Sequence, residues 1–171
     1  MTRLALEHIV RAAGSIADAD KIVIIGSQAI LGSCPFAPEE LLVSQEADVF
    51  PLETPEKADL IDGSIGEMSP FHEQFGYYAH GVGPETATLP SGWKTRLVKI
   101  HSENTCGVIG LCLHPADLAI SKLAAGRIKD IEFVRIMINN KIVSLTDLRP
   151  LIETIDISIR SQVSERLNKI S

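Results

Sequence analysis

The chain of 171 residues is 45% hydrophobic and 22% charged, a balance that fills one hydrophobic core and excludes a disordered class. Its formal net charge of -6 argues against broad electrostatic binding of nucleic acid or of an anionic membrane, while leaving room for a local basic pocket. The longest apolar runs are short, no signal-peptide core follows Met1, and a cytoplasmic protein without a membrane segment is expected. Cys34, Cys106 and Cys112 are an odd set without metal-like spacing and read as reduced, small buried thiols.

In chain order, Leu4, Ile9, Ala12 and Ile16 recur at helical spacing and predict an amphipathic helix over residues 3–18. The run Lys21-Ile22-Val23-Ile24-Ile25 is continuous and β-branched, as in a central strand buried on both faces. Gly26-Ser27 turns at once into a short helical stretch, and a loop over 32–38 follows with a helical turn near 39–42. Glu46-Ala47-Asp48-Val49-Phe50, stopped by Pro51, predicts a second strand, and residues 55–61 a helix opened by Pro55. Residues 63–92 are the least regular part, with Phe75-Gly76-Tyr77-Tyr78 as a short strand. Residues 96–101 and 108–113 predict an antiparallel hairpin. Helices are then expected over 117–125, 128–139, 146–155 and 158–170. The whole is one domain over 1–171, an α/β (α+β) core of about 1–113 followed by a helical part, 114–171.

Side chains two apart on a strand share a face, so Glu46 and Asp48 project together while Ala47 and Val49 face the other way. Paired carboxylates suit a hard divalent ion such as Mg²⁺, which prefers oxygen ligands. The same pair also occurs on ordinary solvent-facing strands. Gly26 permits a tight turn after the first strand, where backbone amides and the Ser27 hydroxyl can meet a phosphate; a plain strand-to-helix turn is the competing reading. Lys122 lies four residues after Leu118 on an otherwise apolar helix, an odd place for a cation unless it snorkels or meets an anion. Arg127 and Lys129 follow Gly126 and add positive charge, with a pair such as Asp130–Arg or Asp117–Lys as the alternative use of these groups. His72, His80, His101 and His114 lack metal-ligand spacing and read as structural or surface histidines. Trp93 is expected to anchor a loop on the core, Tyr77 and Tyr78 to pack, and Phe71 to Gln74 to offer a lid.

Strand, Gly-Ser, helix and a strand with spaced acids together resemble the nucleotidyltransferase superfamily. More specifically, Ile24-Ile25-Gly26-Ser27-Gln28-Ala29, Glu46 to Pro51, Leu89 to Leu97 and Asp117 to Asp130 are similar to a family of small bacterial nucleotidyltransferase-fold proteins related to abortive-infection and toxin–antitoxin systems. The resemblance implies a nucleotidyltransferase-like mixed sheet flanked by helices. It also implies transfer of a nucleotidyl group from a nucleoside triphosphate to an acceptor, with tRNA, protein and small molecules as the candidate acceptors. Gly26 and Ser27 would grip the terminal phosphates, Glu46 and Asp48 would hold Mg²⁺, and Lys122 would neutralise triphosphate charge. Arg127 and Asp130 would shape the nucleotide site.

The chain departs from the superfamily pattern at three points. The first acidic position is Glu46, one methylene longer than the usual aspartate. The third carboxylate, normally supplied by a later strand, is missing from 96–101, leaving Glu103 in the turn beyond and His101 as a substitute base. The separation of Ser27 from Glu46 is long. The alternative to an enzyme is therefore a catalytically degenerate binding or partner-interaction module of the same fold, acting with a partner protein, as in a toxin–antitoxin pair, or as a homo-oligomer.

Overall fold

The computed structural model describes residues 1–170. Thr2 caps the first helix, α1 (Arg3–Ala17), by accepting a hydrogen bond from the Ala5 amide, and the stripe Leu6, Ile9, Val10, Ala13 and Ala17 is buried. The chain then enters β1 (Lys21–Ile25), buried at every position but the first, as a central strand demands. With β2 (Glu46–Pro51), β3 (Tyr78–Gly81), β4 (Val98–Ile100) and β5 (Ile109–Cys112) it forms a mixed sheet in the order β3-β2-β1-β5-β4. β1 runs antiparallel to β2 and parallel to β5; β2 and β3 are parallel, and β4 and β5 antiparallel.

The two faces of the sheet serve different ends. Ile22, Ile24, Ala47 and Val49 join α1 and the other helices in the main core. On the opposite face Val23, Ile25, Phe50, Ala58 and Val82 form a smaller cluster, against which Trp93 and Leu97 pack. Glu46 and Asp48 lie on this second face, since they alternate with Ala47 and Val49. Trp93 touches both clusters and thus anchors its loop, as expected.

After β1 come a single 3₁₀ turn, Ser27–Ala29, and the short α2 (Ile30–Ser33). A 3₁₀ turn, Pro55–Lys57, opens α3 (Ala58–Ile65), which runs further than the predicted 55–61. The region expected to be irregular holds the end of α3, then α4 (Pro70–Phe75) and β3. The strand expected at 75–78 begins only at Tyr78, because Phe75 ends α4 and Gly76 (φ 74°) caps that helix in the left-handed conformation. The lid expected from Phe71 to Gln74 is part of α4, and Phe71 packs on His8 with ring centroids 4.9 Å apart. The hairpin of β4 and β5 forms as predicted, although β4 is shorter than the predicted 96–101, because Arg96 belongs to the 3₁₀ turn Trp93–Arg96. Cys112 is buried and Cys34 half-buried, but Cys106 is exposed, at φ 48° in the connection between β4 and β5.

The last third is helical, as expected: α5 (Pro115–Ala125), α6 (Ile128–Asn139), α7 (Leu145–Ile152) and α8 (Ile157–Ile170). Pro115 at the first position and His114 as the cap start α5. At its other end Gly126 takes φ 68°, and its amide closes back on the Lys122 carbonyl. Arg166 of α8 donates to the orphan carbonyls of Leu123 (2.6 Å) and Ala124 (2.8 Å), so α8 finishes the end of α5 that carries Lys122. Among the described residues, no helix is long and apolar enough to cross a membrane.

Candidate functional site

The antiparallel register of β1 and β2 pairs Ile25 with Asp48. This sets the turn at Gly26 directly beside the Asp48 carboxylate. Gly26 has φ 67° and ψ -172°, a region open essentially to glycine alone. A Cβ at Gly26 would overlap Asp48 Oδ2, so the absence of a side chain gives the carboxylate its place.

The parallel register of β2 and β3 pairs Glu46 with Tyr78 and Asp48 with His80. His80 Nδ1 lies 3.0 Å from Asp48 Oδ1 and 3.6 Å from Glu46 Oε1. One donor atom from each of Glu46, Asp48 and His80 falls within 4.8 Å of the others. Tyr78 donates to Glu46 Oε2 at 3.0 Å, and the His72 ring leans on Tyr78 at 4.6 Å between centroids. Two corrections follow. His80 is not a bystander but part of the acidic cluster. The group that stands third beside the two acids comes from β3, next to β2, and not from the strand at 96–101; two strands separate β4 from β2, which removes His101 as the substitute base.

The electrostatics of the cluster reflect two acids forced together. Burial, and then the charge of Glu46, push the Asp48 carboxyl up to about 6, although His80 pulls the other way. Burial opposes charging of His80, but its hydrogen bond to Asp48 and the charges of Asp48, Glu46 and Asp62 outweigh that and raise its pKa. Burial and the Glu46 carboxylate push the Tyr78 hydroxyl up to about 12. A carboxyl whose pKa is higher folded than unfolded makes stability fall as pH rises through the interval between the two values, here about 4 to 6. Asp48→Asn should accordingly stabilise the metal-free protein by about 1–2 kcal/mol at pH 8, below the ceiling of about 3 set by a rise to about 6. The gain should vanish below about pH 4. Urea unfolding at the two pH values measures it, and an equal effect at both would contradict the origin given for it.

Opposite the acids stands a cationic group built on α5 and α6. Lys122 is nine-tenths buried and donates to Ser27 Oγ at 2.7 Å and to Asp130 Oδ1 at 3.0 Å. Its ammonium also lies 5.0 Å from the Phe133 ring centroid. Asp130 is fully buried and accepts from Arg127 Nε at 2.6 Å as well. Burial works against its charge, but hydrogen bonds from Arg127 and Lys122 prevail and hold its carboxyl below the ordinary range. Asp117, the other acid of this run, is also fully buried but pairs with Arg96 (2.7 and 2.9 Å), not with a lysine. Asp130 is thus the clamp that aligns Lys122 and Arg127, whereas Arg127 itself remains largely exposed.

Of the seven residues given a site role from the sequence, six line one cavity, and Gly26 lines a second that shares Glu46, Asp48, Lys122, Arg127 and Asp130 with it. A cavity of about 730 Å³ is lined by Ser27, Glu46, Asp48, Lys122, Arg127 and Asp130, with Leu41, Phe133 and Ile136 as an apolar wall. A second cavity of about 350 Å³ shares Gly26's side of the cleft, both acids and Lys122, and adds His80, Thr86, Thr88 and Ser121. The larger one lies within the usual range of small-molecule sites, about 300–1,000 Å³. Its lining includes five carboxylates (Glu40, Glu46, Asp48, Asp130, Glu132) and three cations (Lys122, Arg127, Lys129). With carboxylates in excess, a divalent cation would favour the entry of a polyanion here. The oxygen-rich donor set at Glu46 and Asp48 fits such an ion.

A family model described as "Nucleotidyltransferase of unknown function (DUF6036)" matches residues 4–171. No curated protein and no solved structure matches the chain.

Proposed function

The chain belongs to this family of nucleotidyltransferases, and from that membership we propose that it transfers a nucleotidyl group from a nucleoside triphosphate, with a divalent ion (Mg²⁺ by the resemblance) at Glu46 and Asp48. The observation that carries the reading is the convergence of Gly26-Ser27, the two acids and the Lys122–Asp130–Arg127 group on one cleft. The larger cavity receives the nucleotide, its base against Leu41, Phe133 and Ile136 and its phosphates toward Ser27, Lys122 and Arg127. The smaller cavity receives the acceptor, so that attack and departure lie on opposite sides of the acids.

In the reaction the acceptor oxygen bonds to the α-phosphorus. The bond from that phosphorus to the bridging oxygen breaks, pyrophosphate leaves with the electron pair, and the acceptor proton passes to water. A divalent ion, when bound, neutralises charge on the transferring phosphoryl oxygens. Lys122 adds a fixed positive charge on the far side, already aimed by Asp130 and Ser27. Pre-aligned charge of this kind needs no rearrangement during the reaction, which is where its catalytic worth lies.

The test combines the purified protein, divalent ions and each of the four α-labelled ribonucleoside triphosphates with tRNA, protein and small hydroxyl-bearing acceptors. Label should appear on an acceptor with matching pyrophosphate release. Both should drop at least about 100-fold in Asp48→Ala and in Lys122→Ala. If folded wild-type protein binds ion and nucleotide yet labels nothing, the enzymatic reading gives way to a non-catalytic binding module of the same fold.

A further inference from the structure

We propose that His80 is a third, nitrogen ligand to the ion at Glu46 and Asp48, and that this donor set makes the site select manganese(II) over magnesium. The inference rests on the divalent-ion reading above and concerns only which ion is taken and by which atoms.

The geometry comes first. His80 Nδ1 is 3.0 Å from Asp48 Oδ1 and 3.6 Å from Glu46 Oε1. Two ligands on adjacent corners of an octahedron with bonds of about 2.1 Å stand about 3 Å apart, so Asp48 and His80 already hold that spacing and Glu46 lies slightly beyond it. Strand register puts them there: Asp48 and His80 are directly paired across β2 and β3, on the face that Glu46 shares.

The surroundings fix each donor's direction. Tyr78 holds Glu46 Oε2, which leaves Oε1 turned toward His80. Gly26 accommodates Asp48 Oδ2 against its bare Cα, and Oδ1 faces His80. Outer contacts of this kind orient ligands and are part of how a site chooses its ion. His80 and Glu46 remain partly open to solvent, with side-chain exposures of 49% and 37%, so water and phosphate oxygens have access to complete a six-fold shell.

Donor chemistry then separates the ions. Magnesium takes oxygen almost exclusively, and an imidazole in its shell is a poor exchange for water. Imidazole binds first-row transition ions well, and carboxylates with water suit manganese(II), which accepts the mixture in octahedral geometry. Zinc also takes imidazole and carboxylate with an open position and stands above manganese(II) in the affinity order, so the selection concerns manganese(II) against magnesium.

The experiment uses metal-stripped full-length protein. Manganese(II) binding is followed by the electron paramagnetic resonance of the free ion, and magnesium by competition. Manganese is expected to bind at least about 30-fold more tightly than magnesium, because it accepts the nitrogen donor that magnesium takes poorly. His80→Asp should shrink that ratio several-fold by strengthening magnesium and weakening manganese. In the wild type, pulsed resonance should detect a directly coordinated ¹⁴N nucleus, a readout that needs no variant to fold. Manganese bound without nitrogen coupling, or a ratio unmoved by His80→Asp, would overturn the role of His80 and leave the divalent-ion reading in place. If neither ion bound the wild type at millimolar concentration, both readings would be overturned.

Discussion

Asp130→Ala is expected to lower the unfolding free energy by about 3–5 kcal/mol, the range seen when one member of a buried ion pair is removed. Asp130 is fully buried and faces two cations, but the loss comes mainly from one of them. Arg127 is largely exposed and can turn to water, whereas Lys122 is nine-tenths buried and would keep only the Ser27 hydroxyl and the Phe133 ring. The pair is a poor source of net stability for the same reason that breaking it is costly. Each charge must be taken out of water, and the attraction between them does little more than offset that cost.

A double replacement, Lys122→Met with Asp130→Leu, should therefore recover most of the loss while leaving the protein without activity. Urea unfolding of both proteins provides the comparison. A single variant that lost less than about 1 kcal/mol, the scale of an exposed pair, would mean that Lys122 is not held by Asp130. The pair's contribution also has a fixed sign with pH. The folded Asp130 carboxyl is depressed below its ordinary value, so the stabilisation is present above about pH 4 and fades as pH falls through the lower folded value.

Gly26→Ala is the second large effect, with an expected loss of about 2–4 kcal/mol from the strained backbone and the added overlap. The backbone part alone is about 1–3 kcal/mol, because φ 67° with ψ -172° is a conformation that alanine avoids. The remainder arises where the new methyl group meets Asp48 Oδ2. Adding Asp48→Ala removes the overlap but not the strain, so the double variant should be more stable than the sum of the two single effects predicts. Thermal or urea unfolding of the three variants decides it; strict additivity would mean that Asp48 had already moved away. The folded Gly26→Ala protein should also bind divalent ions at least tenfold more weakly, since the overlap pushes one ligand out of line.

These two predictions locate what was readable in the chain. The β-branched run at Ile22–Ile25 followed by Gly26-Ser27 identified a buried central strand and its turn, because burial on both faces demands continuous apolar residues. The alternation of Glu46 and Asp48 with Ala47 and Val49 identified a strand with one acidic face, because the side-chain period is two. Lys122 on an apolar helix pointed to an anion nearby, which the structure supplies in Asp130. The α5 and α6 helices and their break at Gly126 were likewise legible, since capping is a local matter.

His80 was not legible. Its nearest partner, Asp48, is 32 residues away in sequence, and nothing local distinguishes it from the other histidines. The one available signal was the spacing of Tyr78 and His80, which repeats the i, i+2 spacing of Glu46 and Asp48, but it has meaning only once β3 is known to lie parallel to β2 in that register. The segment before β3 was misread for a related reason. Glycines and aromatics there suggested irregular chain, while α4 is held by contacts of Phe71 and Phe75 with His8 on α1.

The sequence by itself determined the elements that bear chemistry, the order in which they occur and the types of side chain they offer, because burial periodicity and helix ends are encoded by neighbours in the chain. Only the tertiary structure decided which of those side chains meet. Strand register brought His80 rather than His101 to the acids, and the fold of α6 back along α5 set Asp130 between Lys122 and Arg127. Both depend on pairing between distant segments, where a shift of one residue would turn every side chain to the opposite face.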